Sequence, residues 1–287
     1  MLQDLTHGRL ENEYRPVPPV PTDAVLCIRG GDVLLHRSGD NTLTLPTWAE
    51  LQSWGKSEPR YAFRLQGTGY YLLTAPDGDA PAPYTWEPAR QLRQQVSMET
   101  CYAVLTGWHL QNWYQNNRLC GSCGAKTVHD EKERMLRCPE CGNLIFPRIN
   151  PVIIAAVCDG DRLLLSRYAG RSYTSYALLA GYTEIGETME QAAAREVYEE
   201  VGLHIKNLRY YKSQPWGVDG NILMGFFCDL DGTDTIRLDE QELSPAGWYA
   251  RHALPARDDG FSLTREMIRM FGEGKEPKSR PPAKPVA

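Results

Sequence analysis

Two Cys-x-x-Cys turns, CGSCG at 120–124 and CPECG at 138–142, stand with fourteen residues between their inner cysteines. Paired thiols at this separation can bring four soft sulfur ligands to one tetrahedral point, the geometry Zn2+ prefers. Cys120, Cys123, Cys138 and Cys141 are therefore expected to hold one structural Zn2+ per chain, because four protein ligands leave no position for water. His129 lies between the pairs but is not needed to close the shell. The other four of the eight cysteines, Cys27, Cys101, Cys158 and Cys228, occur singly in apolar or mixed surroundings and read as small buried hydrophobes.

The rest of the composition excludes several classes. At 287 residues the chain can form about two domains with a real core, which rules out fibres and small disulfide scaffolds. A net charge of -5 and a pI near 5.7 argue against a broad basic nucleic-acid face and predict a weak grip on the body of any RNA. The longest apolar run, Val152 to Cys158, is far short of the roughly 18 residues of a membrane helix, so no membrane association is expected. The opening MLQDLTHGRLENEY has neither a cationic start nor an apolar stretch, so a cytoplasmic, reducing location is the default expectation.

Along the chain, residues 1–90 carry short β-like runs punctuated by Pro and Gly, with YAFRL and GYYLLTA joined by QGTG in the manner of a hairpin. Residues 91–117 change to helical spacing, with Met98, Tyr102, Leu105, Trp108 and Trp113 read as a buried aromatic stripe and the segment as a helical linker. The ribbon occupies 118–147. A mixed domain is expected over 148–272, opening with PVIIAAVCDGDRLLLSRY as two antiparallel strands. The Pro- and Lys-rich end, 273–287, is expected to be disordered.

The chemistry concentrates in GYTEIGETMEQAAAREVYEEVGL, residues 181–203. Thr188 followed three positions on by Gln191 is a capping-box start, AAAREV favours helix, and Gly202 is a natural terminator. On this helix Ala193, Val197 and Val201 mark a buried face, while Glu196, Glu199 and Glu200 crowd the adjoining one at i, i+3 and i+4. Each like-charge pair at 4 Å would cost roughly 4 kcal/mol at an effective dielectric of about 20. A hard divalent cation with oxygen ligands relieves that repulsion, and Arg195 stands where it can orient Glu187.

Gly181, Glu187, Arg195, Glu196, Val197, Glu199, Glu200, Gly202 and Leu203 match the Nudix box at every specified position, and the chain resembles the Nudix hydrolases. Ser213-Gln214-Pro215-Trp216 downstream, with a four-cysteine ribbon upstream, resembles the NADH pyrophosphatase subfamily over about residues 90–270. The subfamily pattern continues as PFPxS, whereas this chain reads Gly217-Val218-Asp219-Gly220-Asn221.

The resemblance implies an α+β chain: a Nudix α/β/α sandwich preceded by a zinc ribbon and a β-rich N-terminal domain. It implies catalytic Mg2+ or Mn2+ at Glu196, Glu199, Glu200 and Glu242 with the Ala180 carbonyl, and Glu187 with Arg195 as a supporting pair. Phe146 and Tyr182 are the expected aromatic partners of a nicotinamide ring. Gln214, Trp216 and Asn221 complete the expected dinucleotide contacts. The implied reaction is hydrolysis of NADH or NAD+ to nicotinamide mononucleotide and AMP, with removal of NAD caps from RNA as a second activity and a homodimer as the assembly. The rival readings are a Nudix hydrolase for ADP-ribose or another nucleoside diphosphate derivative, and a non-catalytic zinc-ribbon nucleic-acid adaptor.

Overall fold

The computed structural model describes residues 1–5, 8–54, 58–168, 175–238, 243–255 and 260–278. The chain divides into two compact units, one of residues 2–149 with 216–220 and one of Met1, 150–215 and 221–287.

The first unit is built on strands β1 (Leu10–Glu11), β2 (Ala24–Arg29), β3 (Asp32–Arg37), β4 (Leu43–Thr44), β5 (Arg60–Leu65), β6 (Thr68–Leu73) and β7 (Tyr84–Pro88), with a short helix α1 (Trp48–Leu51). They form one sheet in the order β1-β5-β6-β2-β3-β4, with β7 beside β3. The hairpin read from QGTG is the β5–β6 turn, where Gln66 and Gly67 both take positive φ, 51° and 81°, between the paired ends Leu65 and Thr68. Such turns match the twist of the flanking strands.

Helix α2 (Met98–Asn116) begins at Ser97, whose side chain accepts from the Thr100 N–H. It is buried on nearly all sides, with Cys101, Tyr102, Val104, Leu105, Trp108 and Trp113 inside, as a core helix is. The segment expected to link domains is therefore part of this unit's core. The ribbon strands β8 (Val128–His129), β9 (Leu136–Arg137) and β10 (Leu144–Ile145) complete the unit as a three-stranded sheet.

The second unit contains β11 (Asn150–Asp159), β12 (Arg162–Tyr168), β13 (Leu179–Tyr182), α3 (Met189–Val201), β14 (His204–Trp216), β15 (Asn221–Asp231), β16 (Leu243–Ala250) and α4 (Leu263–Gly272). The sheet runs β14-β15-β11-β12-β16 with β13 also paired to β11; β11 runs parallel to β15 and antiparallel to β12 and β13, and β12 is antiparallel to β16. As expected, β11 and β12 form an antiparallel hairpin, closed by the Asp159–Arg162 pair.

Alternation along β11 organises both faces. Ile153, Ala155 and Val157 pack with Ala192, Ala193, Val197 and Val201 of α3, whereas Ile154, Ala156 and Cys158 pack with Leu263, Met267, Ile268 and Phe271 of α4. Period-two side-chain alternation with both faces covered produces the α/β/α sandwich. The single cysteines Cys27, Cys101, Cys158 and Cys228 are all buried, and loss of water raises each thiol's pKa, to about 12 for Cys27 and Cys158 and about 11 for Cys101.

The expected disordered tail is corrected at its start. The Lys275 N–H donates to the Met270 carbonyl, and Glu276, 7% exposed, meets Arg251 through two contacts of 3.2 Å. Residues 279–287 lie outside the described residues. Among the described residues no helix is long and apolar enough to cross a membrane.

Candidate active site

The acidic helix forms as its local signals dictate. Thr188 accepts from the Gln191 N–H at 3.2 Å while the Gln191 side chain accepts from the Thr188 N–H at 2.9 Å, and Gly202 ends the helix with φ 70°. Burial of Ala193, Val197 and Val201 fixes the rotation of α3, and Glu196 then lies against Gly181 of β13.

Arg195 organises this face. Its Nε and Nη2 donate to the two Glu187 carboxylate oxygens at 2.6 and 2.9 Å, its Nη1 donates to Glu196 at 2.8 Å and Glu199 at 2.9 Å, and Nη2 also reaches the Tyr182 carbonyl at 2.9 Å. A planar fork serves several carboxylates in this way where an ammonium cannot. The guanidinium, helped by the Glu184 N–H, holds Glu187 far down, at a pKa of about 2. Glu187 thereby ties the 183–188 loop to the helix.

Glu200 is 4% exposed, a burial that a carboxylate tolerates only with compensating charge or hydrogen bonds. Glu196 lies directly against Gly181, where an added Cβ would fall about 2 Å from its carboxylate atoms. The box glycine is thus a steric requirement. This oxygen-rich donor set, beside a carbonyl-bearing strand end at Ala180, suits a hard divalent cation. Arg195 pairs with both Glu196 and Glu199 of this set. Glu242 lies outside the described residues.

Tyr182 ends β13 with its ring about half exposed, and its hydroxyl accepts from Asn221 Nδ2 at 3.3 Å. Asn150 Nδ2 in turn donates to Asn221 Oδ1 at 3.4 Å, from the position that faces it in the parallel β11–β15 register. Asn221 is 7% exposed and steadies Tyr182. Asn150 has no counterpart among the sequence expectations, since 71 residues separate it from Asn221 and only the register joins them. Phe146 is also exposed, at 54%, and belongs to the first unit.

Gln214 departs from its expected place. It is fully buried, its Nε2 donates to the Phe261 carbonyl and its Oε1 accepts from the Leu263 N–H, both at 2.8 Å. The amide anchors the start of α4. Trp216 donates from Nε1 to Asp219 at 3.2 Å, and Asp219 pairs with Arg90. Gly217 sits so near the Leu105 carbonyl that a Cβ would fall 2.1 Å from the oxygen. The departure from the PFPxS pattern is therefore bound up with packing on α2.

In the ribbon, the sulfurs of Cys120, Cys123, Cys138 and Cys141 lie within 4.8 Å of one another, with contacts of 3.6 Å for Cys120–Cys141 and 3.4 Å for Cys123–Cys138. Tetrahedral Zn–S bonds of about 2.3 Å place sulfurs about 3.8 Å apart, so the set fits Zn2+. Matching turns shape both knuckles: the Gly124 N–H donates to the Cys120 carbonyl and the Gly142 N–H to that of Cys138, each glycine at φ near 75°. N–H groups of Ser122 and Cys123 favour the Cys120 thiolate, lowering its pKa to about 6. His129 stands apart and packs against Tyr114, ring centroids 4.9 Å apart.

Fold and site together define a Nudix hydrolase carrying a zinc ribbon. Comparison with known families agrees: residues 148–271 match the NUDIX domain and residues 115–146 match the NADH pyrophosphatase zinc ribbon domain. The NAD-capped RNA hydrolase NudC of Pseudomonas aeruginosa is 31% identical over 84% of this chain and 89% of its own length. That of Chromobacterium violaceum is 35% identical over 90% and 95%. Among solved structures, a NUDIX hydrolase from Nitrosomonas europaea aligns at 21% identity and TM-score 0.48, covering 55% of this chain and 92% of that one. The chain belongs to the NADH pyrophosphatase family of Nudix hydrolases.

Proposed function

We propose that the chain hydrolyses the pyrophosphate bond of NADH or NAD+ to nicotinamide mononucleotide and AMP, and removes NAD caps from the 5′ ends of RNA. The observation that carries the reading is the carboxylate face of α3, with Glu196 seated on Gly181 and bracketed by Arg195. Relatives named as NAD-capped RNA hydrolases supply the substrate class.

In this reading Glu196, Glu199, Glu200, Glu242 and the Ala180 carbonyl hold Mg2+ or Mn2+. The cation supplies charge neutralisation at the pyrophosphate and activation of water. Arg195 and Glu187 keep the carboxylates in register, and Glu199 or Glu200 accepts the proton of the attacking water, worth about 10² to 10⁴ in rate. Tyr182, steadied by Asn221, and Phe146 provide aromatic faces for a flat base, worth about 1 to 3 kcal/mol per base in single-strand sites. Trp216 borders the same substrate in this reading, and Gln214 supports the scaffold. A homodimer accompanies the reading, favoured by exposed Leu144, Phe146 and Ile149. So does a cytoplasmic location, because four thiolate ligands require reduced cysteines.

The test is product analysis with NADH, NAD+ and ADP-ribose under one metal condition, using wild type and Glu200→Gln. Nicotinamide mononucleotide and AMP from wild type, with turnover lowered at least 10²-fold in the variant, is the expected result. Near-normal turnover of Glu200→Gln at saturating Mg2+ or Mn2+ refutes the metal assignment, and higher kcat/KM for ADP-ribose than for NADH favours the rival substrate.

A further inference from the structure

A cleft of about 960 Å³ lies wholly within the first unit, and none of its lining residues is among those assigned above to the hydrolytic site. Four cations line it: Arg29 at the end of β2, Arg60 at the start of β5, Arg118 just beyond α2, and Lys126 in the ribbon. No carboxylate lines it among the described residues, and none of the four cations is in an ion pair there. In a chain of net charge -5 this is a marked local segregation of charge.

The cations are held open rather than neutralised. Arg60 stacks over the Tyr114 ring at 4.1 Å, and Arg29 lies over Trp86 at 4.4 Å while donating to the Gly78 carbonyl at 2.8 Å. Stacking on an aromatic face fixes a guanidinium without removing its charge. His129, also in the lining, has its pKa lowered to about 4 by loss of water and by Arg60, so it is neutral near pH 7 and offers a flat ring rather than charge.

We propose that this cleft binds the sugar-phosphate backbone of single-stranded RNA, gripping the body of a capped transcript. The proposal rests on the reading of the chain as a hydrolase of NAD-capped RNA. Four separated positive groups suit a run of phosphates better than one compact anion, and the exposed His129 ring gives an unpaired base a face to stack on. The overall acidity of the chain predicts a weak grip on the RNA body; the cleft reverses that expectation, because association depends on the local field and not on the mean charge.

The test uses the full-length zinc-loaded protein and the double variant R118Q/K126Q, whose two side chains are exposed. Zinc content, expected unchanged, verifies that the ribbon is intact. Fluorescence anisotropy with an uncapped 5′-hydroxyl single-stranded RNA of about twelve nucleotides reads binding without any hydrolysis. Wild type is expected to bind with a falling salt dependence, and the variant to bind about tenfold more weakly with the log–log salt slope reduced by about 1.4, two single-strand phosphate contacts.

In parallel, kcat/KM is expected to fall for NAD-capped RNA and to hold for free NADH. Equal binding by wild type and variant, or equal losses on NADH and capped RNA, overturns the proposal. Displacement of the RNA by AMP at the same site, with no gain in affinity from strand length, also overturns it, making the cleft a mononucleotide site. Absence of NADH hydrolysis in wild type would sink the catalytic reading alone, since anisotropy still decides the cleft.

Discussion

The Glu196 carboxylate rests on the backbone of Gly181 so closely that a Cβ at position 181 would lie 1.9 Å from its carboxyl carbon. The atoms in conflict are the far end of a flexible side chain, so Gly181→Ala is relieved by swinging Glu196 away and not by unfolding β13. We expect Gly181→Ala to lower kcat at least about 10²-fold, as a misplacement near 1 Å commonly does, with Tm within a few degrees of wild type. Steady-state kinetics beside a thermal melt check this; normal kcat would show that Glu196 need not occupy that seat.

Arg195 and Glu187 give a pH prediction with a definite sign. The pKa of Glu187 is depressed from 4.5 to about 2, first by the Arg195 hydrogen bonds and then by the Glu184 N–H. A depressed carboxylate contributes stability that is fully present above its unfolded value and is lost as pH falls through the folded one. The loop contact should therefore persist through pH 4 and fail toward pH 2. In Arg195→Lys the bidentate bond is lost and the Glu187 midpoint should move back toward 4.5. A carboxyl carbon NMR titration of Glu187 reads both, and an unmoved midpoint in the variant would exclude Arg195 as the cause.

What was legible in the sequence was what local chemistry decides. Thr188, Gln191 and Gly202 set both ends of α3 because caps act within one turn, and the four ribbon cysteines were legible because the two turns carry their own geometry. Contacts made by register or by long-range packing were not legible. The Asn150–Asn221–Tyr182 chain exists only because β11 lies between β13 and β15. Glu276 belongs to a segment whose composition reads as disordered, yet Arg251 lies 25 residues earlier to receive it. Likewise Arg29, Arg60, Arg118 and Lys126 meet in space from four separate segments, which a net charge cannot reveal.

Gln214 separates a scaffold role from a ligand role. Replacing it with Ala removes two 2.8 Å hydrogen bonds, one to the Phe261 carbonyl and one from the Leu263 N–H, in a buried setting. Removing one partner of a buried hydrogen bond costs about 1 to 3 kcal/mol. We expect Gln214→Ala to lower the unfolding free energy by roughly 2 to 4 kcal/mol in denaturant titration while KM for NADH at a permissive temperature changes less than about twofold. A large KM increase at unchanged stability would return Gln214 to the substrate.

The ribbon's dependence on its metal follows from its size. Strands β8, β9 and β10 have two residues each, and only Leu136 among those six is buried, so there is little apolar area to hold them together. Zinc binding at four-thiolate sites is worth on the order of 10 kcal/mol and is folding free energy for such modules. Cys138→Ser or a strong chelator should thus release one zinc per chain and lose ribbon structure cooperatively. Metal analysis paired with amide hydrogen exchange over residues 118–147 measures this, and the expected outcome is exchange of the ribbon amides at rates near those of an unfolded chain once the metal is gone. Protection that survives complete zinc loss would mean that the N-terminal unit, through contacts such as Arg134 Nη2 with the Ala62 carbonyl at 2.5 Å, holds the ribbon without it.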